Sequence, residues 1–343
     1  MRIARRVAGV AMSVAAVVLS AAPAILLAQS KSPVPMVLIS QANEAGFPIW
    51  LAKKLNYFAD AGIDAKIQYF PNGGAALASG AAGDWQGGWI GSPPAITGWA
   101  KFGLIPAGTM MKEDRNIKLI MRKDALKGSS PKQVLMSKPI GSVPNSTWSQ
   151  VLFACAKHFG ADPEKMKVVP LAPPVTRQSL RSGEVASGTT DSSPDYDLVM
   201  DKANFEVVCD GAVAKSSVID PYVVTTRFAK ENPEAAARFI EAAFRANELI
   251  MSDREKAVKH LLEFYKDVGI EGDETKARYT LDYRDYQTLD QALADMRNGS
   301  SEKALTETAQ VFVAGGAYDK VPDLKGAIAA GLPIVEAARK LRK

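Results

Sequence analysis

Residues 36–70 read MVLISQANEAGFPIWLAKKLNYFADAGIDAKIQYF, and this stretch decides the fold class. Met36 to Gln41 is a short apolar run suited to a buried strand. Phe47, Trp50, Leu51, Leu55 and Phe58 then recur at helical spacing, with Pro48 near the first helical position and Gly62 past the end. Asp64 to Phe70 alternates as a strand does. Downstream, Asn72-Gly73-Gly74 leads into a short Ala/Leu helix ending at Gly80. Another strand, about Gln86 to Ile90, runs into Gly91-Ser92-Pro93-Pro94 and a further helix. Strand, loop and helix repeating in this order predict an α/β protein with a parallel sheet covered by helices.

The alternation starts again at Ile117–Met121. A Gly/Ser/Pro-rich break at Lys127–Pro131 follows, then strands at Pro139–Val143, Lys167–Leu171 and Ala186–Thr190, with helices at Ser146–Phe159 and Val175–Leu180 between them. Tyr222 to Thr226 is a last β-rich stretch. Asn232-Pro233-Glu234 is a helix start, an N-cap followed by proline, and the pattern from there to Lys343 is almost wholly helical. One sheet is begun, a second is inserted, and the chain returns. The expectation is therefore two lobes, each a mixed, mostly parallel sheet flanked by helices. Lobe I takes 31–125 plus 216–343 and lobe II takes 126–215, with crossings near Arg122–Gly128 and Asp210–Asp220. Loops at the carboxyl ends of the strands would line the cleft between lobes, where open α/β sheets bind ligands.

The first residues follow another grammar. Arg2, Arg5 and Arg6 precede a charge-free Ala/Val/Leu run from Val7 to Leu27, and small residues cluster at Ala21–Ala24 and Ala28–Ser30. That order predicts a signal peptide over 1–28 cleaved near Ala28, ordinary Sec export and a periplasmic location; an uncleaved anchor is the rival. No cysteine follows the run to carry a lipid. Removing three arginines takes the formal charge from +5 to +2, and no basic stripe with interleaved aromatics appears, so nucleic-acid binding has no support. At 343 residues, the chain is long enough for two domain-sized cores. Cys155 and Cys209 read most simply as two buried thiols on a helix and a strand, with a disulfide in an oxidising compartment as the alternative.

Four stretches resemble the periplasmic solute-binding proteins of ABC importers, in their nitrate/sulfonate/taurine class. They are Pro48 to Phe58 with Gly62-Ile63-Asp64; Ala76-Leu77-Ala78-Ser79-Gly80 with Asp84; Gly91 to Ile96; and Ile140 to Thr147 followed by Leu180 to Val185. Ser187 stands where the family usually has Asp, and the loop Asp191-Ser192-Ser193-Pro194 lacks an aromatic often found before its proline. The resemblance implies a two-lobed, type II periplasmic-binding-protein fold that captures a small anionic solute, an aliphatic sulfonate or taurine-like compound first. It further implies a monomer that delivers the solute to an inner-membrane permease with its ATPase, without a cofactor. A ligand-presenting sensor would share the architecture. So would a thiamine-pyrimidine synthase, but the cysteine run of that enzyme is absent here.

Such proteins hold anions with neutral donors, backbone N–H groups at helix starts joined by hydroxyls and amides. Three loop-to-helix starts qualify: Asn72-Gly73, Gly91-Ser92 and Asn145-Ser146-Thr147, each of which simple N-capping would also explain. Gln41 ends the first strand and Trp148 sits in the first turn after Thr147, so both are candidates to face the ligand, as are Asp191 and Ser192. Glu44 and Asp191 would suit an amine. No lysine or arginine occupies these loops; Arg177, the nearest cation, reads as structural. His158 and His260 fall within helices without partners at metal-ligand spacing, and no nucleophile elbow or phosphate loop occurs, so an enzyme is not expected.

Overall fold

Eleven strands form two sheets in the computed structural model, which describes residues 32–80, 83–191 and 194–342. The expected signal peptide and Ser192 lie outside the described residues. In chain order the strands are β1 Val34–Gln41, β2 Ile63–Phe70, β3 Gly87–Trp89, β4 Leu104–Lys112, β5 Ile117–Arg122, β6 Pro139–Ser142, β7 Lys167–Pro170, β8 Ser187–Asp191, β9 Phe205–Asp210, β10 Ile219–Thr225 and β11 Asp285–Tyr286. The first sheet runs β11-β4-β10-β3-β1-β2 and the second β7-β6-β8-β5-β9.

Strand β1 is apolar because it lies inside its sheet, parallel to both β2 and β3. The same holds for β6 between β7 and β8. The other five pairings are antiparallel, where mostly parallel ladders were expected. The reason is local. Strands β5 and β10 carry the chain into and out of the second sheet, and each runs against both of its neighbours. Alternation of apolar residues specifies a strand but not its direction.

Strand β4 has no counterpart in the expected elements; it carries Pro106 and Gly108, residue types that weaken a strand pattern. Its ladder with β10 is irregular at Pro221, and Gly108 adopts φ +96° beneath Phe244. Behind it the helix Leu324–Lys340 approaches so closely that a Cβ on Gly331 would lie 1.9 Å from the Pro106 carbonyl oxygen. The single helix expected over Phe47–Phe58 is two, Phe47–Lys54 and Tyr57–Asp60, broken where Asn56 turns left-handed at φ +59°. Phe47, Trp50 and Phe264 pack ring against ring in the larger core, which places Trp50 where its helical face predicted.

The chain leaves the first sheet after β4, so β5 belongs to the second sheet and the first crossing is 113–116, not 122–128. The charged run Glu113-Asp114-Arg115-Asn116 looks like an ordinary surface turn, which hides its role. The return crossing, 211–218, lies alongside it. Glu113 N–H donates to the Val218 carbonyl at 2.8 Å, and Val218 N–H donates to Asp114 Oδ1 at 2.6 Å.

Cys155 and Cys209 form a disulfide, with S–S 2.02 Å, where free thiols were the simpler expectation. It ties the helix Thr147–His158 to β9, a pairing that spacing cannot reveal because 54 residues separate the two. Closing a loop of that length stabilises by about 4 kcal/mol in the chain-entropy account. The Cys155→Ser/Cys209→Ser protein should therefore unfold at clearly lower denaturant than the parent; coincident curves would show that the bond carries no stability.

Candidate functional site

The carboxyl ends of β1, β2 and β3 in one sheet and of β6 and β8 in the other converge on one cavity, the position at which open α/β sheets take ligands. Gln41, Asn72, Gly73, Gly91, Asn145, Ser146, Thr147, Trp148 and Asp191 all line it. The loops meet closely: a Cβ on Gly91 would come 2.9 Å from Thr147 Cγ2, so glycine is needed where the two loops touch.

Several of these side chains serve the helices first. Asn72 Oδ1 accepts the Ala75 N–H at 2.9 Å. Ser146 is the N-cap of the Thr147 helix, in a reciprocal capping box with Ser149, and its hydroxyl also donates to the Val143 carbonyl at 2.6 Å. Asn145, just ahead of it, is left-handed at φ +48° and lies outside the helix it was expected to open. Trp148 behaves differently. Its indole Nε1 is buried without a hydrogen-bond partner, on a residue that lines the cavity.

Ser92 does not line the cavity. It is the first residue of its helix, fully buried, and its hydroxyl donates to Gln150 Oε1 at 3.1 Å. Gln150 Nε2 in turn donates to the Ser217 carbonyl at 3.0 Å. Ser92 therefore faces the Thr147 helix, since the glycine before it, not the serine, occupies the wall.

Three charged residues absent from the expected site also line the cavity: Glu113, Asp220 and Arg284. Arg284 Nε donates to Glu113 Oε1 at 2.9 Å. Asn116 Nδ2 links Glu113 Oε1 (3.0 Å) to Asp191 Oδ1 (3.1 Å). Arg284, not Arg177 as expected, is the cation nearest the site. It comes from the helical tail, 171 residues from Glu113, and nothing in its own neighbourhood signals the pairing. Glu113 follows the unrecognised strand β4, and Asp220 sits just ahead of the stretch read as β-rich. Arg177 is structural as expected, bound to buried Asp195 at 2.6 Å and away from the cavity wall.

Burial, then the charge of Glu113, pushes the carboxyls of Asp191 and Asp220 well above the usual range; a hydrogen bond with Glu113 adds to the shift of Asp220. Burial works to lower the Arg284 pKa, but Glu113 and Asp191 outweigh it and hold the guanidinium charged. Burial raises Asp195 to about 7 despite Arg177.

A cleft-binding α/β protein with the periplasmic-binding-protein fold is the class this architecture defines. The fold recurs in the alkanesulfonate-binding protein of Xanthomonas axonopodis pv. citri bound to MOPS, at TM-score 0.67 and 18% identity over 88% of this chain and 98% of that one. It recurs too in the periplasmic nitrate-binding protein of Synechocystis PCC 6803, at TM-score 0.69 and 11% identity over 90% and 89% of the chains. The family described as NMT1/THI5 like matches residues 43–257, and the chain belongs to it. In sequence it is also similar to the taurine-binding periplasmic protein of Escherichia coli (strain K12), 25% identical over 286 residues, 80% of this chain and 84% of the relative.

Breaking a buried ion pair strands the remaining charge, whereas replacing both partners need not. Arg284→Met should cost about 3 kcal/mol of stability in denaturant melts. Adding Glu113→Gln should recover part of that loss. Equal costs for the single and double variants would show that the pair does not act as a unit.

Proposed function

We propose that this chain is the solute-binding component of an ABC importer, working in the periplasm after export through its first 28 residues. The two sheets serve as jaws that swing about the crossings at 113–116 and 211–218. A small solute with an anionic head, an aliphatic sulfonate or taurine-like compound first, binds between them and is handed to a membrane permease. The observation that carries this reading is the single cavity that loops from both sheets line together. The relatives support the solute class, since those named above are binding proteins for taurine, alkanesulfonate and nitrate.

The start of the Thr147 helix gives the anionic head a natural seat. Its first N–H groups carry the positive end of the helix dipole, and Trp148, whose buried indole Nε1 has no partner, lines the same cavity. A solute held by both jaws favours the closed state only through its better contacts there.

Thermal-shift screening against sulfonates, carboxylates, nitrate and amines tests the assignment. A bound solute at 100 times its Kd adds about 2.7 kcal/mol and raises Tm, and it should be recovered chemically unchanged. An unmoved Tm across the whole panel would defeat the proposal. Trp148→Phe should weaken the solute that emerges about tenfold or more, as expected for losing a hydrogen bond to a charged group. Unchanged affinity would take the anion seat away from this helix.

A further inference from the structure

A ladder of three tyrosines, none among the residues that line the cavity, runs from one sheet to the other. Tyr196 opens the short helix Tyr196–Met200, whose Leu198 packs with Ile120, Leu180 and Phe205 on the second sheet. Tyr279 lies in the helix Glu274–Asp282, whose Ala277 and Leu281 belong to the core of the first sheet. The two rings meet edge to face, with centroids 5.1 Å apart and planes at 77°. One turn further along, Tyr283 packs on Tyr279 with centroids 4.3 Å apart. Lys118 Nζ then lies 4.5 Å from the centre of the Tyr283 ring, and the Arg115 guanidinium carbon 5.7 Å from it.

Different parts of the chain hold the two ends of the ladder. Arg115, on the first crossing, donates to the Asp282 carbonyl and to Asp285 Oδ1, both at 3.1 Å. Lys118, two residues past that crossing, donates to the Arg115 carbonyl at 2.7 Å. Tyr283 is thereby fixed where the sheets are joined. Tyr196 instead travels with the second sheet. Asp195, just before it, donates its N–H to the Asp191 carbonyl at 3.3 Å and pairs with Arg177 of the helix Pro173–Ser182 at 2.6 Å. A swing about the crossings would keep Tyr279, Tyr283 and the two cations together and part Tyr196 from Tyr279.

We propose that the Tyr196–Tyr279 contact is a latch that favours the closed jaws and slows release of the solute, an inference that rests on the clamp reading above. Its place in the chain couples it to the cavity. Arg284, which lines the cavity, directly follows Tyr283, and Asp191, which also lines it, is bonded through its carbonyl to the residue before Tyr196. Solute and latch therefore hold the same two segments, one from within the cavity and one from outside it. Losing the ring pair should shift the balance of closed and open forms about fivefold, the typical worth of an edge-to-face contact. A solute that binds the closed form then pays through the smaller closed fraction. The contact is made by the rings, so phenylalanine should serve at position 196 and alanine should not.

Small-angle X-ray scattering of the protein without solute reads the latch directly. Tyr196→Ala should show a larger radius of gyration than the parent while keeping its circular-dichroism spectrum, and Tyr196→Phe should match the parent. If Tyr196→Ala fails to fold, Tyr279→Leu removes the same ring contact from the other side. Taurine is the probe for release: stopped-flow tryptophan fluorescence should show it leaving Tyr196→Ala about fivefold faster than the parent, and leaving Tyr196→Phe at the parent rate. An unchanged radius of gyration in the alanine variant, or release of taurine at the parent rate, overturns the latch and leaves the importer reading standing. Should no compound of the thermal-shift panel bind the parent, the importer reading falls, and the scattering comparison alone upholds or overturns the latch.

Discussion

Charge buried at the crossings is the constraint around which this protein is arranged. Glu113 sits on the first crossing and Asp220 is the second residue of β10, just past the return crossing, so two of the acids that line the cavity lie on or beside the segments that join the two sheets. Arg284, bonded to Glu113, brings the C-terminal helices to the same point. Asn116 extends the chain of hydrogen bonds to Asp191 in the second sheet. Removing Arg284 leaves Glu113 buried without its counter-ion, which makes this pair sensitive to substitution.

The Thr147 helix is the second fixed part. Its start is held by the Ser146–Ser149 capping box, and near its other end Cys155 is bonded to β9. Along its length Gln150 bridges Ser92 and Ser217, and Phe153 sets its ring against Phe312 with centroids 5.9 Å apart. A helix held at both ends presents its N-terminal N–H groups at a defined place. Pre-organised donors of this kind bind an anion without first having to be ordered. The same contacts join this helix to the helices that carry Ser92 and Phe312.

Much of the fold was legible along the chain. The strand-loop-helix order placed eleven loop and strand-end candidates near one cleft, and of the ten that fall within the described residues nine line it, because loops at the carboxyl ends of parallel strands share one edge of their sheet. Ser92 was misplaced for a stereochemical reason: adjacent residues at a helix start point in different directions, and Gly91 took the wall. Strand β4 was missed because Pro106 and Gly108 argue locally for a loop, and only the packing of β10 and of the helix carrying Gly331 holds them extended. The first crossing was put late for the same reason, as the strand ahead of it had not been seen.

Apolar periodicity, caps and turn residues act over a few positions, so the sequence alone determined the α/β class, the inserted second sheet and the helix starts that could greet an anion. Partnerships made across long separations have no local signal. The tertiary structure alone decided that Cys155 meets Cys209, that β5 and β10 run against their neighbours, and that Arg284 reaches back to Glu113. It also decided the character of the cavity, because the acidity of Asp191 and Asp220 depends on which charges surround them and on how little water remains.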